Sequence, residues 1–455
     1  MPASYRFGSG TSLSLRSLGA GWAEVVWAES GSARFAAEVP SSVAARLLRL
    51  GPAFTREQMA EAAGSRRLAG QLLSRLRAHR LLHVTGGDTP SLSERPVYHH
   101  VPHGVVTLAY RQGFIDAKPA GFGVSTSARR ATAAARGEAF ERHALLRPDL
   151  ARPEPDLRGL RSVSAAHGVL FDFLRDTAPL SSARFPAAVD RVSRSCTTGE
   201  GRGLFPGQWI YPDASPASNS NGVASGPTLG RATAAARLEL IERDALLRAW
   251  YGVLASRPLT PDELARTALR TLRAKAAAVG LDTHWFALGG ERTWTVTCVL
   301  SGVRAPHLGL GSAARPSLED AASKAFFEAA GSHLGHVLAH RELGPRVFAG
   351  LAARTKTGVP GAVHRSLFET FWAAQPVEAV QELTRRFSRP HVGATHRLTS
   401  SRFRWLDLTP RTASHPRVVR VFHPDAAPLP NTMAQVRVLE GLLGVRGDGV
   451  PPPIA

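Results

Sequence analysis

The sequence has little cysteine and no long apolar run. Only two of its 455 residues are cysteines, Cys196 and Cys298, which excludes a disulfide scaffold and the usual multi-cysteine zinc modules. No apolar run approaches the roughly 18 residues of a membrane-spanning helix, and the first residues lack the basic-then-apolar layout of a signal peptide. We therefore expect a soluble, cytoplasmic protein that does not enter a membrane.

Acidic residues are few beside basic ones. The chain holds 36 Asp and Glu against 56 Lys and Arg, a formal net charge of +20, and nearly all of the excess is arginine. An anionic partner such as nucleic acid, a nucleotide or an acidic peptide would account for this balance, and so would an arginine-rich coding bias. The basic residues are scattered without a run of five, which argues against nucleic acid as the partner. Lysine occurs only at Lys118, Lys275, Lys324 and Lys356.

Residues 1–84 are expected to form a small module of their own. Alternating apolar residues predict strands over residues 22–27 and 33–39, and a helix is predicted to start at Ser41 or Ser42. Thr55 and Gln58 have the spacing of a capping box, which predicts a second helix. A third helix and a short strand complete a layout that resembles a winged helix. Three roles stay open for it: a clamp that binds a peptide as an added strand, a DNA-binding module, or a packing or dimerisation module.

A linker and a larger α/β domain are predicted to follow. Residues 85–95 are rich in glycine, serine and proline, as linkers are. Over residues 96–455, strand patterns alternate with helix patterns, and one long helix is predicted to open at Ser317 with acidic residues in its first turn. At roughly 150 residues per domain, 455 residues allow this division.

An internal repeat lies within the larger domain. Residues 130–147 and 231–248 are identical at 14 of 18 positions, with a constant offset of 101. Both segments are rich in strong helix formers, and each contains the pattern Glu-x-x-Glu-Arg. Because residues three and four apart share a helix face, each helix presents two carboxylates and a guanidinium together.

Two such helices facing each other would gather four carboxylates. These groups repel one another unless cations lie between them, and magnesium ions bound there could hold a triphosphate that arginine also contacts. The alternative is that each motif is only a solvated face with a Glu–Arg pair. Glycine and small polar residues precede both helices, at residues 121–125 and 218–226, which suits contact with an anion.

These motifs together resemble the YcaO superfamily of ATP-dependent enzymes. The resemblance rests on GFGVS leading to GEAFER, on SNSNGVASG leading to ELIERDA, and on a later helix with EAA, and it covers residues 96–455. It implies an α/β fold with mixed sheets and helices in which the two motif helices line an ATP site. It implies four magnesium ligands, Glu138, Glu141, Glu239 and Glu242. It implies nucleotide contacts from Arg142, Ser218, Asn221, Arg243, Glu328 and His333.

The resemblance also implies an activity and partners. Members of this family activate a backbone amide oxygen of ribosomally made peptides with ATP and Mg²⁺, most often to convert Cys, Ser or Thr into azolines. Others make thioamides or amidines. The implied partners are a precursor peptide, a ThiF-like or flavin dehydrogenase subunit, and a second copy of the chain. The proline-rich end, residues 449–455, suggests either a tail whose carboxylate, on Ala455, enters the active site, or a plain disordered end.

Some positions depart from the family pattern. Ala134 stands where the family often has serine, and Gly331 and His333 stand where it usually has glutamine and arginine. A non-catalytic subunit that binds the precursor or a partner enzyme is therefore a second hypothesis. A DNA-binding regulator that uses the first module is a third.

Overall fold

The computed structural model describes the greater part of the chain in segments. These are residues 4–7, 11–19, 22–29, 32–50, 53–78, 82–85, 98–103, 106–112, 119–146, 167–177, 194–198, 201–205, 207–210, 221–289, 293–304, 306–343, 372–373, 375, 378–388, 398, 400–410, 416–430, 433–447, 450 and 452–453. The chain divides into two compact units. Unit 1 comprises Met1–His99 and Tyr110–Phe122, and unit 2 comprises His100–Ala109 and Gly123–Ala455. The predicted linker, apart from Thr85, lies outside the described residues, and the predicted boundaries stay predictions.

Unit 1 contains two small antiparallel sheets and three helices. Its strands are β1 (Ser4–Phe7), β2 (Thr11–Gly19), β3 (Trp22–Glu29), β4 (Ser32–Pro40), β5 (Ala53–Thr55) and β6 (Leu82–Thr85). Its helices are α1 (Ser41–Leu47), α2 (Arg56–Ala63) and α3 (Arg66–Ala78). The strand orders are β5-β1-β6 and β2-β3-β4. Apolar side chains from the helices and from β3 to β5 form one buried cluster.

The local predictions for unit 1 are confirmed. The Thr55 hydroxyl accepts from the backbone N–H of Gln58, and the Gln58 side chain accepts from the N–H of Thr55, as the capping box requires. Gly64 ends α2 with a φ of 71°, in the left-handed region that glycine adopts without strain. The winged-helix assignment and the role of this module stay predictions.

Unit 2 is built from helices and antiparallel strands. A further three-stranded sheet, formed by residues 98–125, precedes the first motif helix in the chain. That sheet has the order β7 (Tyr98–His103), β8 (Val106–Gln112), β9 (Pro119–Ser125). The further strands are β10 (Arg194–Thr198), β11 (Gly201–Phe205), β12 (Val223–Gly226), β13 (Ser256–Pro258), β14 (Leu281–Leu288), β15 (Trp294–Gly302), β16 (Leu308–Arg315), β17 (Arg404–Asp407) and β18 (Arg417–Phe422). The helices are α4 (Ala128–Leu146), α5 (Val169–Thr177), α6 (Gly207–Ile210), α7 (Leu229–Trp250), α8 (Pro261–Leu264), α9 (Thr267–Ala277), α10 (Leu318–Leu343), α11 (Ala379–Phe387) and α12 (Met433–Leu442).

Helix α7 packs against two sheets. One sheet has the order β11-β10-β17-β18-β12 and the other the order β13-β14-β15-β16, with antiparallel neighbours throughout. Ala232, Ala236 and Leu240, spaced four residues apart, pack with side chains of β12 and β18. Ala245, Leu246, Ala249 and Trp250 pack with Val299, Leu308 and Leu310 of the second sheet. The C-terminal half of α7 is therefore enclosed on all sides.

Helix α10 lies directly on the backbone of β16. A Cβ atom on Gly311 would come within 2.2 Å of the backbone nitrogen of Ala329, and one on Gly309 within 2.5 Å of the Ala329 carbonyl oxygen. Only glycine at both positions allows this close approach. The contact fixes which face of α10 is turned to the sheet and which is not. No helix in the described part of the chain is long and apolar enough to cross a membrane.

Candidate nucleotide and metal site

The internal repeat of the sequence is also a repeat in the structure. The Ser127 hydroxyl accepts from the backbone N–H of Arg130 at 3.3 Å, and the Thr228 hydroxyl accepts from the N–H of Arg231 at the same distance. These two caps are related by the offset of 101 residues that relates the helix sequences. Helices α4 and α7 therefore begin in the same way, each directly after a short strand.

The first motif helix is connected to the strand of the second motif. Glu141 of α4 accepts a hydrogen bond from the backbone N–H of Ser225 in β12 at 2.7 Å, and the Ser225 hydroxyl is also a partner of this carboxyl group. A Cβ atom on Gly137 would lie 3.0 Å from the Ser225 oxygen, so glycine lets α4 approach β12 closely. One turn before Glu141, Glu138 forms an ion pair with Arg142.

Four charged residues are buried in the enclosed half of α7. Glu242, Arg243, Asp244 and Arg248 each expose less than a tenth of their surface. Charged side chains are almost never buried to this degree unless they are paired or bind a ligand. Each of these four residues therefore needs a partner.

Asp244 and Arg248 are satisfied within the protein. Arg248 Nε donates to Asp244 Oδ1 at 2.8 Å, and Arg248 Nη2 donates to the carbonyl of Asp425 at 2.6 Å. The same Asp244 oxygen accepts from the backbone N–H of Ala427 at 2.7 Å. This pair joins α7 to the segment that follows β18.

Glu242 is not satisfied in this way. Its Oε1 atom is buried without a hydrogen-bond partner among the described residues, and the nearest cation is Arg243, whose Nε lies 3.4 Å away. The charge of Glu328 in α10 also acts on this carboxylate, as do the opposite charges of Lys324 and Arg315. Lys324 Nζ in turn lies 2.9 Å from Glu328 Oε1. Carboxylates and cations from α7, α10 and β16 thus meet around Glu242.

Burial raises the pKa of both motif carboxyls. Desolvation is the largest effect on Glu141, whose pKa rises to about 7 although the Ser225 N–H opposes the rise. Desolvation likewise raises the pKa of Glu242 to about 8, against the opposing charge of Arg243, and the like charge of Glu328 adds to the rise. Ionised carboxylates are therefore costly at both positions unless a cation binds to them.

These residues fit a divalent metal ion and an anionic nucleotide. A buried carboxylate oxygen without a partner is the kind of hard ligand that Mg²⁺ prefers, and nearby arginine and lysine side chains suit phosphate. Glu242 would hold the metal on the side of α7, and Arg243, Arg315 and Lys324 would face the phosphates. Within the described segments, no three His, Cys, Asp or Glu side chains lie close enough together to hold a metal ion. The set of four glutamates therefore stays a prediction.

Asn221 and Ser218 are two predicted nucleotide contacts from the second motif, and of these two the structure describes only Asn221. Asn221 is buried at the turn before β12, where Gly222 adopts a φ of 72° and lies against Leu240 of α7. Asn221 is therefore close to the turn of α7 that carries Glu239 and Glu242. Ser218, like Ala455 at the chain end, lies outside the described residues.

His333 and Glu328 lie on different faces of α10. Glu328 is on the face that carries Lys324. His333 is buried with its Nε2 atom 3.2 Å from the carbonyl oxygen of Pro306, and a Cβ atom on Gly309 would lie 2.5 Å from its own Cβ. Five residues along a helix correspond to a rotation of roughly 140°. His333 thus packs toward β16, away from the Lys324–Glu328 pair, and its contact with phosphate stays a prediction.

Three participants were not anticipated from the sequence. Ser225 binds Glu141 through its backbone N–H, which every residue except proline could supply. Lys324 differs from most basic residues of the chain only in being a lysine, although its i, i+4 spacing from Glu328 is a signal that identifies a helical ion pair. Arg315 carries no local pattern, because its position at the end of β16 matters only once α7 and α10 are packed.

A family model matches residues 121–427, which is about two thirds of the chain and includes both motif helices. The chain belongs to the YcaO family. The model is described as YcaO cyclodehydratase, ATP- and Mg²⁺-binding. Cyclodehydratase activity with ATP and Mg²⁺ is therefore the activity of this family, and the resemblance drawn from the motifs is confirmed. A comparison with curated proteins found no match.

Solved structures resemble this YcaO protein at low sequence identity. A chain of the E. coli microcin synthetase McbBCD complex has a TM-score of 0.50 at 14% identity, covering 75% of this chain and 91% of its own. YcaO from Methanopyrus kandleri bound with AMPPCP and Mg²⁺ has 0.47 at 16%, covering 73% and 85%. A heterocyclase in complex with substrate and cofactor has 0.48 at 15%, covering 74% and 50%. The first of these likenesses shows a common fold.

The raised pKa of Glu141 predicts a pH-dependent stability in metal-free buffer. The folded protein holds this proton more tightly than the unfolded chain, where the carboxyl titrates near 4.5. Its stabilising contribution is complete below about pH 4.5 and is lost as the pH rises through about 7. Glu141→Gln removes the titration. The melting temperature of the variant, measured with a chelator, should therefore rise relative to that of the wild type as the pH increases from about 5 to about 8.

The control is Glu263→Gln. Its Arg257 partner lowers the pKa of Glu263 to about 2, so this carboxyl does not titrate in the same range. The difference in melting temperature between this variant and the wild type should stay constant from about pH 5 to about pH 8. A constant difference for Glu141→Gln as well would contradict the assigned burial effect.

Proposed function

We propose that this YcaO protein activates a backbone amide oxygen of a ribosomally made precursor peptide with ATP and Mg²⁺. The resulting reaction would be cyclodehydration, in which the side chain of a Cys, Ser or Thr residue attacks the preceding carbonyl carbon and an azoline forms. ATP supplies the phosphoryl group with which the amide oxygen departs as phosphate. The net change in the peptide is the loss of one water.

The observation that carries this proposal is the buried oxygen of Glu242 that has no hydrogen-bond partner among the described residues. It lies in the second of two structurally repeated helices, beside Arg243 and within the influence of Glu328, Lys324 and Arg315. A surface ion-pair helix, which was the alternative explanation of the repeat, would leave this oxygen in water. Burial together with mixed charge supports a site for a metal–nucleotide complex.

The residues proposed for this site form two sets. The magnesium ligands are proposed to be Glu138, Glu141, Glu239 and Glu242. The nucleotide contacts are proposed to come from Arg142, Ser218, Asn221, Arg243, Glu328 and His333. In this arrangement, the four glutamates of the repeat orient the metal, while the arginines and the small polar groups orient the triphosphate. Such positioning supplies most of the catalysis in phosphoryl transfer.

Partners are proposed on the same basis. Microcin synthetase is a multi-chain complex and the heterocyclase was solved with its substrate, which supports a precursor peptide and a partner subunit for this chain as well. We assign leader-peptide binding to residues 1–84 and assign a ThiF-like or flavin dehydrogenase subunit as the partner. The carboxylate of Ala455 is proposed to enter the site. Val450 packs with the apolar cluster that contains Trp250 of α7, which supports a course of the tail near that helix.

The proposal is tested with the full chain, MgATP and a Cys-, Ser- and Thr-rich precursor peptide encoded beside its gene, with and without the neighbouring partner subunit. We expect phosphate release that the peptide stimulates, together with a peptide mass lower by one water for each azoline. Phosphate release with sulfur in place of oxygen in the peptide would indicate a thioamide product. Absence of both nucleotide binding and hydrolysis would favour the non-catalytic subunit instead.

A further inference from the structure

Lys324 occupies a defined place at the proposed site. It lies on α10 one turn before Glu328, and its Nζ atom is 2.9 Å from Glu328 Oε1. The contact of α10 with Gly309 and Gly311 of β16 fixes the helix, so that the Lys324 face is directed away from the sheet. The ion pair is therefore built on a rigid element.

The surroundings of Lys324 contain a second carboxylate. The charges of both Lys324 and Glu328 act on the buried carboxylate of Glu242, with opposite signs. Correspondingly, the pKa of Lys324 is raised, first by the charge of Glu328, and Glu242 contributes in the same direction. The ammonium group of Lys324 thus forms an ion pair with one carboxylate of α10, and its charge also acts on a carboxylate of α7.

We propose that Lys324 is an internal cation that competes with a bare divalent metal ion, so that the metal enters this site only together with a nucleotide. In the nucleotide-free protein, Lys324 binds Glu328, and its positive charge favours the ionised form of Glu242. A metal ion alone must displace it at the cost of an unpaired ammonium group. A triphosphate gives Lys324 a new anionic partner and removes that cost. The role of the nucleotide rests on the proposed function, whereas the competition with the metal does not.

Lysine has the physical properties that this role needs. Its ammonium group is a compact point charge on a flexible four-carbon stem, which lets it move between partners. The Lys324 side chain retains 42% of its exposure, so that it has room to move. Arg315, the other cation of this group outside α7, is held by donating from Nη1 to the carbonyl of Ala314 at 2.6 Å. Lys324 is therefore the cation best able to exchange a carboxylate for a phosphate.

The test measures binding of Mn²⁺ alone, by electron paramagnetic resonance, to the full chain without nucleotide. Lys324→Met removes the ammonium group and should tighten Mn²⁺ binding at least about tenfold over the wild type. Lys324→Arg keeps a cation and should bind Mn²⁺ as weakly as the wild type. Lys275→Met, at an exposed lysine of α9, is the matched control and should change nothing. The double variant Lys324→Met/Glu242→Gln should lose the gained affinity, which locates the metal.

Two outcomes would overturn the inference. One is an affinity of Lys324→Met for Mn²⁺ within about twofold of the wild-type value, and the other is a gain that survives Glu242→Gln. Binding of a fluorescent ATP analogue with Mg²⁺ is measured in parallel on the wild type. Its absence would contradict the proposed function but not the competition, whereas normal nucleotide binding without any gain in Mn²⁺ affinity would contradict the competition alone.

Discussion

Glu242→Gln should reduce Mg²⁺-dependent ATP turnover by at least about 10²-fold while the protein stays folded. A metal ion contributes several kcal/mol of charge stabilisation in such reactions, and each ~1.4 kcal/mol corresponds to a factor of ten in rate. Glutamine has the shape of glutamate but no charge, so that it is a poor ligand for magnesium. The loss should appear in steady-state phosphate release, because Glu242 is the buried carboxylate whose Oε1 atom has no hydrogen-bond partner.

Stability separates this effect from misfolding. Burial raises the pKa of Glu242 to about 8, which means that its ionised form is costly in the metal-free protein. Removal of the charge should therefore leave the melting temperature in chelator unchanged or higher. Glu263→Gln, at an ion pair with Arg257 on the surface of unit 2, should keep wild-type turnover. Retention of more than a tenth of the wild-type rate by Glu242→Gln would show that this carboxylate is not a metal ligand.

The repeat in the sequence predicted much of the architecture around this site. Both motif helices lie where the offset of 101 residues places them, and the Ser127 and Thr228 caps repeat as well. Capping signals of this kind act within one turn of a helix. They can therefore be recognised in the sequence without knowledge of the tertiary structure. The fold class and the family followed from the same motifs.

The partners of the motif residues could not be predicted in the same way. Glu141 is bound by a backbone N–H, a group that every residue except proline carries. The position of His333 depends on how α10 is rotated about its axis, and that rotation is set by the glycines of β16. The sequence places His333 near Glu328, but the two side chains diverge around the helix. Such relations arise only from packing between distant segments.

The burial of the Asp244–Arg248 pair could likewise not be predicted from the sequence. Loss of this pair is expected to have a large effect on stability. Both residues follow Glu242 on α7, and the sequence alone would assign them to an ordinary i, i+4 surface pair. Instead, they form hydrogen bonds with the backbone of Asp425 and Ala427, which lie 177 and 183 positions later in the chain. A surface pair of this kind contributes about 0.3–0.5 kcal/mol, whereas loss of one partner of a buried pair costs about 3–5 kcal/mol.

Asp244→Ala should therefore lower the free energy of unfolding by about 3–5 kcal/mol, measured by urea denaturation. It leaves the Arg248 guanidinium buried with its main anionic partner removed, and it leaves the Ala427 N–H without its acceptor. Asp244→Asn keeps an acceptor oxygen of the same size and should lose less. A loss below about 1 kcal/mol for Asp244→Ala would mean that water replaces the carboxylate at this position.

A double-mutant cycle with Arg248→Met tests whether the pair acts as a unit. Once Asp244 is replaced by alanine, the buried charge of Arg248 destabilises the fold. Its replacement by an apolar side chain should therefore recover part of the stability. The Asp244→Ala/Arg248→Met variant should then be less destabilised than the sum of the single variants by about 1–3 kcal/mol. Additive losses would show that the two residues stabilise α7 independently. A recovered fold with reduced turnover would show that this pair also positions the adjacent Glu242 and Arg243 for catalysis.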